Sequence, residues 1–211
     1  MGDDGALYVA EEVVPLYKAI MPFADIILPN QFEAELLSDS KLDSIGSITT
    51  CFEKLHQRYG VAHIVISSLR LDTHPNVIFC CGSTATETFE PRPFVLEVPI
   101  INGPFIGTGD LFAALLLARL HPFKNHLEQP SNVTAIELPL AKILELVVAS
   151  MQGVLRNTKT AMDQQLEKDG DVNLLTDKER LVNLMRAAEL RLVGSQEALL
   201  HPGVVVRAVA L

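Results

Sequence analysis

The chain has 211 residues, 48% of them hydrophobic and 20% charged, with a formal net charge of −9. This is long enough for one α/β domain with a substantial core, and too acidic to point to nucleic acid as a partner. It contains no uninterrupted apolar run of the roughly 18 residues a membrane span needs, no basic-then-apolar leader, and three cysteines (Cys51, Cys80, Cys81) that form no disulfide framework and fit a reducing cytoplasm.

The opening Met1-Gly2-Asp3-Asp4-Gly5 reads as a polar turn with no strand before it, and Glu11-Glu12 as a loop or helix start. Ala24–Leu28 is a short buried-strand pattern ending at Pro29-Asn30. Gln31–Leu37 follows as a helix with Phe32, Leu36 and Leu37 inward, and Ser47–Tyr59 as a second helix ended by Gly60. Ala62–Ser67 is almost wholly apolar, as a parallel strand covered on both faces would be. Asn76–Cys81 and Glu87–Glu90 are expected to pair antiparallel around Gly82-Ser83, and Phe94–Ile101 to be extended.

Leu111, Phe112, Leu115, Leu116 and Leu120 recur at helical spacing after Gly107-Thr108-Gly109-Asp110. His121–Asn132 reads as a surface loop, Glu137–Arg156 as a long amphipathic helix, and Thr158–Leu175 as a polar, mobile stretch. Asp177–Leu192 is expected to be a helix capped by Thr176, and Gly203–Leu211 a final strand. Strand and helix alternate without repeats or a clear boundary, which gives one α/β domain over residues 1–211. Its apolar strands need neighbours to cover their edges. The six histidines, at 56, 63, 74, 121, 126 and 201, show no metal-ligand spacing, and His63 is expected to be buried in its strand. Lys159, Lys168 and Lys178 read as solvated surface.

The glycine turn is the chemically informative stretch. Glycines reach positive φ and let a ligand approach closely. The first amides of a helix have no intrahelical partner and, with the helix dipole, favour an anion. Asp110 then has two readings: a helix cap, or a carboxylate that accepts a proton from an attacking hydroxyl. Asn30 and Glu33 likewise read as an N-cap with its capping-box partner. Ser67 and Ser68 stand where a strand ends, at the side of an open α/β sheet where ligands gather.

ADIILPNQFEAELLS (Ala24–Ser38), VISS (Val65–Ser68) and FIGTGDLFAALLLARL (Phe105–Leu120) resemble the pyridoxal kinases, a branch of the ribokinase-like small-molecule kinases. MGDDGALYV (Met1–Val9) resembles the end of that family's Asp-Pro-Val-x-Gly-Asp segment, and the likeness runs on to GVVVRAVAL (Gly203–Leu211). The resemblance implies a three-layer α/β/α fold with a mostly parallel sheet. It implies ATP- and Mg²⁺-dependent phosphorylation of the 5′-hydroxymethyl of pyridoxal, pyridoxine or pyridoxamine, giving pyridoxal 5′-phosphate in vitamin B6 salvage. By the same likeness, Asp110 accepts the substrate proton and Gly107, Thr108 and Gly109 form the anion hole. ATP is met by Asp3, Asn30, Ser67, Ser68, Ile101, Asn102, Phe105 and Thr108, and the metal by Asp3 and Glu33. The family is helped by a monovalent cation (K⁺), but Leu28 and Ser67 stand where it commonly has threonine. A cytoplasmic homodimer is implied.

The family's fold begins before the Asp-Pro-Val segment, so the chain is expected to be the ATP-binding and catalytic half, N-terminally truncated, with Met1 an internal methionine taken as a start. Two alternatives stand beside this: an inactive fragment that partners a full-length kinase, and a related hydroxymethylpyrimidine or sugar kinase.

Overall fold

Short apolar runs build one sheet. In the computed structural model, which describes residues 12–122, 133–168 and 177–211, the strands are β1 (Ile26–Ile27), β2 (His63–Leu69), β3 (Val77–Thr84), β4 (Pro93–Pro99) and β5 (Val209–Ala210). They lie side by side in chain order. β1 runs parallel to β2, while the β2–β3, β3–β4 and β4–β5 pairs are antiparallel. The α/β class holds, but among the described residues the sheet is mixed rather than mostly parallel. The apolar run of β2 reports that both its faces are covered; it does not report the direction of its neighbours.

The antiparallel pair expected near Gly82-Ser83 is present in a different register. β3 runs straight through Gly82 and Ser83 and pairs with β4 from Val77↔Pro99 to Ser83↔Pro93. Ser83 is buried, and its Oγ lies 2.9 Å from His56 Nε2. Glu87–Glu90 is the connecting turn, closed by Thr86 N–H to Glu90 O at 2.9 Å and Phe89 N–H to Thr86 O at 3.0 Å. At the end of the chain only Val209 and Ala210 join the ladder, opposite Val95 and Phe94.

The chain divides into two compact units. The first takes Met1–Pro99, Pro122–Lys142 and Arg207–Leu211; the second takes Ile100–His121 and Ile143–Val206. Within the first lie all five strands and helices α1 (Val13–Ile20), α2 (Gln31–Ser38) and α3 (Ile45–Tyr59). α3 starts in a capping box between Ser44 and Ser47 and ends at Gly60, which takes φ 66° as its left-handed C-cap. Ile48, Cys51, Phe52 and Leu55 of α3 join Ile64, Ile66, Leu69, Phe79 and Cys81 of the sheet in one buried cluster. In α2 the fully buried positions are Ala34, Leu37 and Ser38, while Phe32 and Leu36 are half-buried.

The second unit holds α4 (Thr108–Leu120), α5 (Pro139–Lys168, apart from its first four residues), α6 (Asp177–Ala187) and α7 (Gln196–Leu200). α4 buries Phe112, Leu116 and Leu120. The polar stretch expected from Thr158 is helical as far as Lys168. Its polarity is that of a helix with one wet face: Lys159 pairs with Asp163 one turn on, while Met162 is buried. α6 stops at Ala187, short of Leu192. Gly153 is bare because a Cβ there would lie 2.5 Å from the Ala198 Cβ. Beside that contact, Arg119 Nη2 donates to Ser150 Oγ at 2.7 Å and to Leu199 O at 2.9 Å. Most of the expected loop at His121–Asn132, together with Thr176 and Glu11, lies outside the described residues.

His63 is buried in β2 as expected, with 5% of its surface exposed and Nδ1 3.0 Å from Thr84 Oγ1. Burial, helped by the nearby His56 and Arg92, pushes its pKa from 6.5 down to about 4. Because the folded state resists protonation, this histidine's stabilisation is complete above pH 6.5 and is lost as pH falls towards 4. At about 1.4 kcal/mol for each pH unit of depression, the loss reaches roughly 3 kcal/mol. Urea unfolding as a function of pH should therefore show a flatter acid limb for His63→Gln than for the wild type, and equal slopes would refute the buried neutral histidine.

Candidate active site

The first group of candidate residues sits where β1 passes into α2. Pro29 is buried and Asn30 takes an extended conformation (φ −76°, ψ 178°) that starts the helix. Asn30 Oδ1 accepts from the Glu33 amide at 2.9 Å, and Glu33 Oε2 accepts from the Asn30 amide at 2.9 Å. The capping-box reading of this pair therefore holds. It leaves Asn30 Nδ2 and Glu33 Oε1 without a partner among the described residues, on side chains whose other ends are fixed.

Three further bonds fasten the same end of α2. Ser67 N–H donates to Pro29 O at 3.1 Å, the Arg70 amide donates to Gln31 Oε1 at 3.0 Å, and Gln31 Nε2 donates to Leu42 O at 3.0 Å. The end of β2 is also irregular. Ile66 faces Cys81 and Leu69 faces Phe79, so Ser67 and Ser68 together oppose the single residue Cys80. This is a β-bulge at the two candidate serines, a device that re-aims side chains and frequently lies beside functional sites. Ser67 is half-buried and Ser68 exposed. Sequence reasoning missed both Gln31 and the bulge, since neither leaves a mark in local spacing.

The second group belongs to the α4 end of the other unit. Ile101, Phe105 and Thr108 are half-buried; Asn102, Gly107, Gly109 and Asp110 are exposed. The Phe105 ring lies against Gly103, where an added Cβ would come within 2.7 Å of it. Ile106 donates its amide to Ala188 O at 3.1 Å and forms a parallel bridge with Glu189. The next residue, Gly107, is the N-cap of α4 at φ 84°, a conformation open to glycine at little cost. A Cβ on Gly109 would meet nothing within 4 Å among the described residues, so packing against these does not demand glycine there.

Among the described residues no side chain caps α4. Asp110 makes no hydrogen bond or ion pair to any described residue, so its capping reading is not what the structure contains. The helix start presents amides without side-chain partners and one free carboxylate. Among the described residues no group of three or more His, Cys, Asp or Glu side chains is placed to hold a metal. Asp3 lies outside the described residues.

Residues 1–130 match the family model of phosphomethylpyrimidine kinase. The chain belongs to the phosphomethylpyrimidine kinase family. The chain is similar to the pyridoxal kinase of Sus scrofa, 32% identical over 222 residues, which span 100% of this chain and 61% of that one. The pyridoxal kinase of Homo sapiens is 37% identical over 144 residues, 64% of this chain and 45% of the relative. Among solved structures, the pyridoxal kinase from Leishmania donovani in complex with ADP aligns with a TM-score of 0.70 at 29% identity, covering 100% of this chain and 60% of that one. A Plasmodium falciparum structure with AMP-PNP and PL aligns at TM-score 0.72 and 24% identity, a likeness of fold. The chain thus carries the α/β fold of the ribokinase-like kinases and spans about three fifths of the length of the curated relatives it matches.

The capping box is directly testable. Asn30→Ala should cost about 1 kcal/mol of unfolding free energy, and Asn30→Ser much less, since serine restores the side-chain acceptor. Urea titration reads both; equal losses for the two variants would show that the Asn30 oxygen does not cap α2.

Proposed function

We propose that this member of the phosphomethylpyrimidine kinase family transfers the γ-phosphoryl group of ATP to the 5′-hydroxymethyl group of pyridoxal, pyridoxine or pyridoxamine. The observation that carries the reading is the start of α4: a positive-φ glycine, a second glycine that packing does not require, no side-chain cap, and Asp110 free beside them. The names of the relatives supply the substrate class.

The chemistry follows from the residues. In phosphoryl transfer, charge spreads over the oxygens of the migrating group, and there is little covalent work for the protein to do. The amides of Gly107, Thr108 and Gly109 stabilise that charge without reorganising, because α4 already holds them in place. An alcohol is too weak an acid for a free carboxylate to ionise beforehand, so Asp110 takes the proton late, as the new P–O bond forms. Asn30, Ser67, Ser68, Ile101, Asn102 and Phe105 bind the nucleotide, together with Asp3. Mg²⁺ keeps several waters and needs few protein ligands; the unused Glu33 Oε1, on a carboxylate fixed by its other oxygen, suits a contact through such water, with Asp3 as the second carboxylate. When bound, the ion neutralises phosphate charge. A K⁺ requirement, a homodimer and a cytoplasmic location belong to the same proposal. No described helix is long and apolar enough to cross a membrane.

A second reading, phosphorylation of a related pyrimidine such as a hydroxymethylpyrimidine, draws support from the pyrimidine named in the description of the matching family model. One assay separates the two. Purified protein with Mg-ATP and pyridoxal should form pyridoxal 5′-phosphate, and Asp110→Asn should lower kcat about 10²–10⁴-fold, the usual contribution of a positioned proton acceptor. Wild-type turnover by Asp110→Asn refutes the assignment of Asp110. Phosphorylation of hydroxymethylpyrimidine but not pyridoxal selects the second reading.

A further inference from the structure

The segment between α6 and α7 ties the glycine turn to the interior of the second unit. Its residues Ala188 and Glu189 hold Ile106, which immediately precedes Gly107. Its other end is fastened to α5: the Arg191 amide donates to Thr158 Oγ1 at 3.0 Å, and Arg191 Nη2 donates to Gln165 Oε1 at 3.2 Å. Thr158 is fully buried, and its hydroxyl also donates to Val154 O at 2.8 Å. One hydroxyl group thus uses its proton within α5 and its lone pair on the strap. Along the strap, only Glu189 and Leu190 lie between the Arg191 amide and the Ala188 carbonyl that holds Ile106.

We propose that Thr158 is a positioning residue for phosphoryl transfer, acting through Arg191, the 188–191 strap and Ile106 to set the place of the Gly107–Gly109 amides. This rests on the reading of Gly107–Asp110 as the phosphoryl site. No side chain caps α4 to hold its start, so the bond from Ile106 to Ala188 carries that task. Amides that stabilise a transition state lose their effect steeply when displaced; about 1 Å of misplacement can cost on the order of 10²-fold in rate. Interactions realised only in the transition state appear in kcat, not in substrate KM. Valine at 158 keeps the shape of threonine but strands the Arg191 amide; serine keeps the acceptor.

The test compares wild type, Thr158→Val and Thr158→Ser in two measurements. Native-state hydrogen exchange should show the Ile106 amide exchanging about tenfold faster in Thr158→Val, with the Leu116 amide inside α4 within about twofold of wild type and Thr158→Ser near wild type throughout. Pyridoxal 5′-phosphate formation should show kcat lowered about five- to fiftyfold in Thr158→Val at unchanged pyridoxal KM, with recovery in Thr158→Ser. If Ile106 accelerates no more than Leu116, the change is global and the proposal falls. If kcat is retained, or KM rises alone, it also falls while the functional reading stands. A wild-type chain that phosphorylates no substrate overturns the functional reading and the catalytic role of Thr158 with it; the exchange arm still decides whether Thr158 holds Ile106.

Discussion

The start of an α-helix carries amide hydrogens that the helix cannot use, and in most proteins a side-chain oxygen takes one of them. α4 lacks that oxygen. Gly107 turns the backbone into the helix at φ 84°, and no side chain folds back to close it. What α4 loses in capping it keeps as a patch of directed, unspent partial charge, and hydrogen bonds within the second unit fasten the segments on either side of it. Ile106 is pinned to the 188–191 strap, the strap to Thr158, and the far end of α4 to α5 and α7 through Arg119. The chain as a whole is acidic, with a net charge of −9. Under the proposed function, attraction of a phosphate would therefore rest on local amides and cations, not on the long-range field.

The β1–α2 junction shows the opposite solution. There the cap is complete, and Asn30 and Glu33 satisfy each other's backbone. The same bonds that close α2 fix one end of each side chain and leave the other end available. Helix capping and ligand contact are then compatible uses of two residues, because a carboxylate has two oxygens and an amide side chain both an oxygen and a nitrogen. The bulge at Ser67–Ser68 and the Gln31 bridge hold the neighbouring strand end against this helix start.

Much of this was legible in the sequence, and the failures have physical causes. The helices over Gln31–Leu37, Ser47–Tyr59 and after Gly107 carry strong periodicity with start and stop signals, and each appears within a few residues of its expected bounds. The capping box at Asn30 follows from spacing alone. Gly82-Ser83 misled because glycine marks turns locally, whereas here it lies inside a strand beside a buried histidine–serine contact whose partners are 27 residues apart. Thr158–Lys168 misled because a polar composition describes one face of a helix as well as it describes a loop. The strap was hidden for the same reason as the bulge: the Thr158–Arg191 bond spans 33 residues, and no periodicity encodes a partner at that distance.

The central claim is that the backbone at the start of α4 receives a phosphoryl group. The direct test is an amide-resolved NMR titration of the protein with a non-hydrolysable ATP analogue and Mg²⁺. The account predicts saturable shifts centred on the Gly107, Thr108 and Gly109 amides. Saturable binding that leaves the Gly107–Gly109 amides unmoved would contradict it.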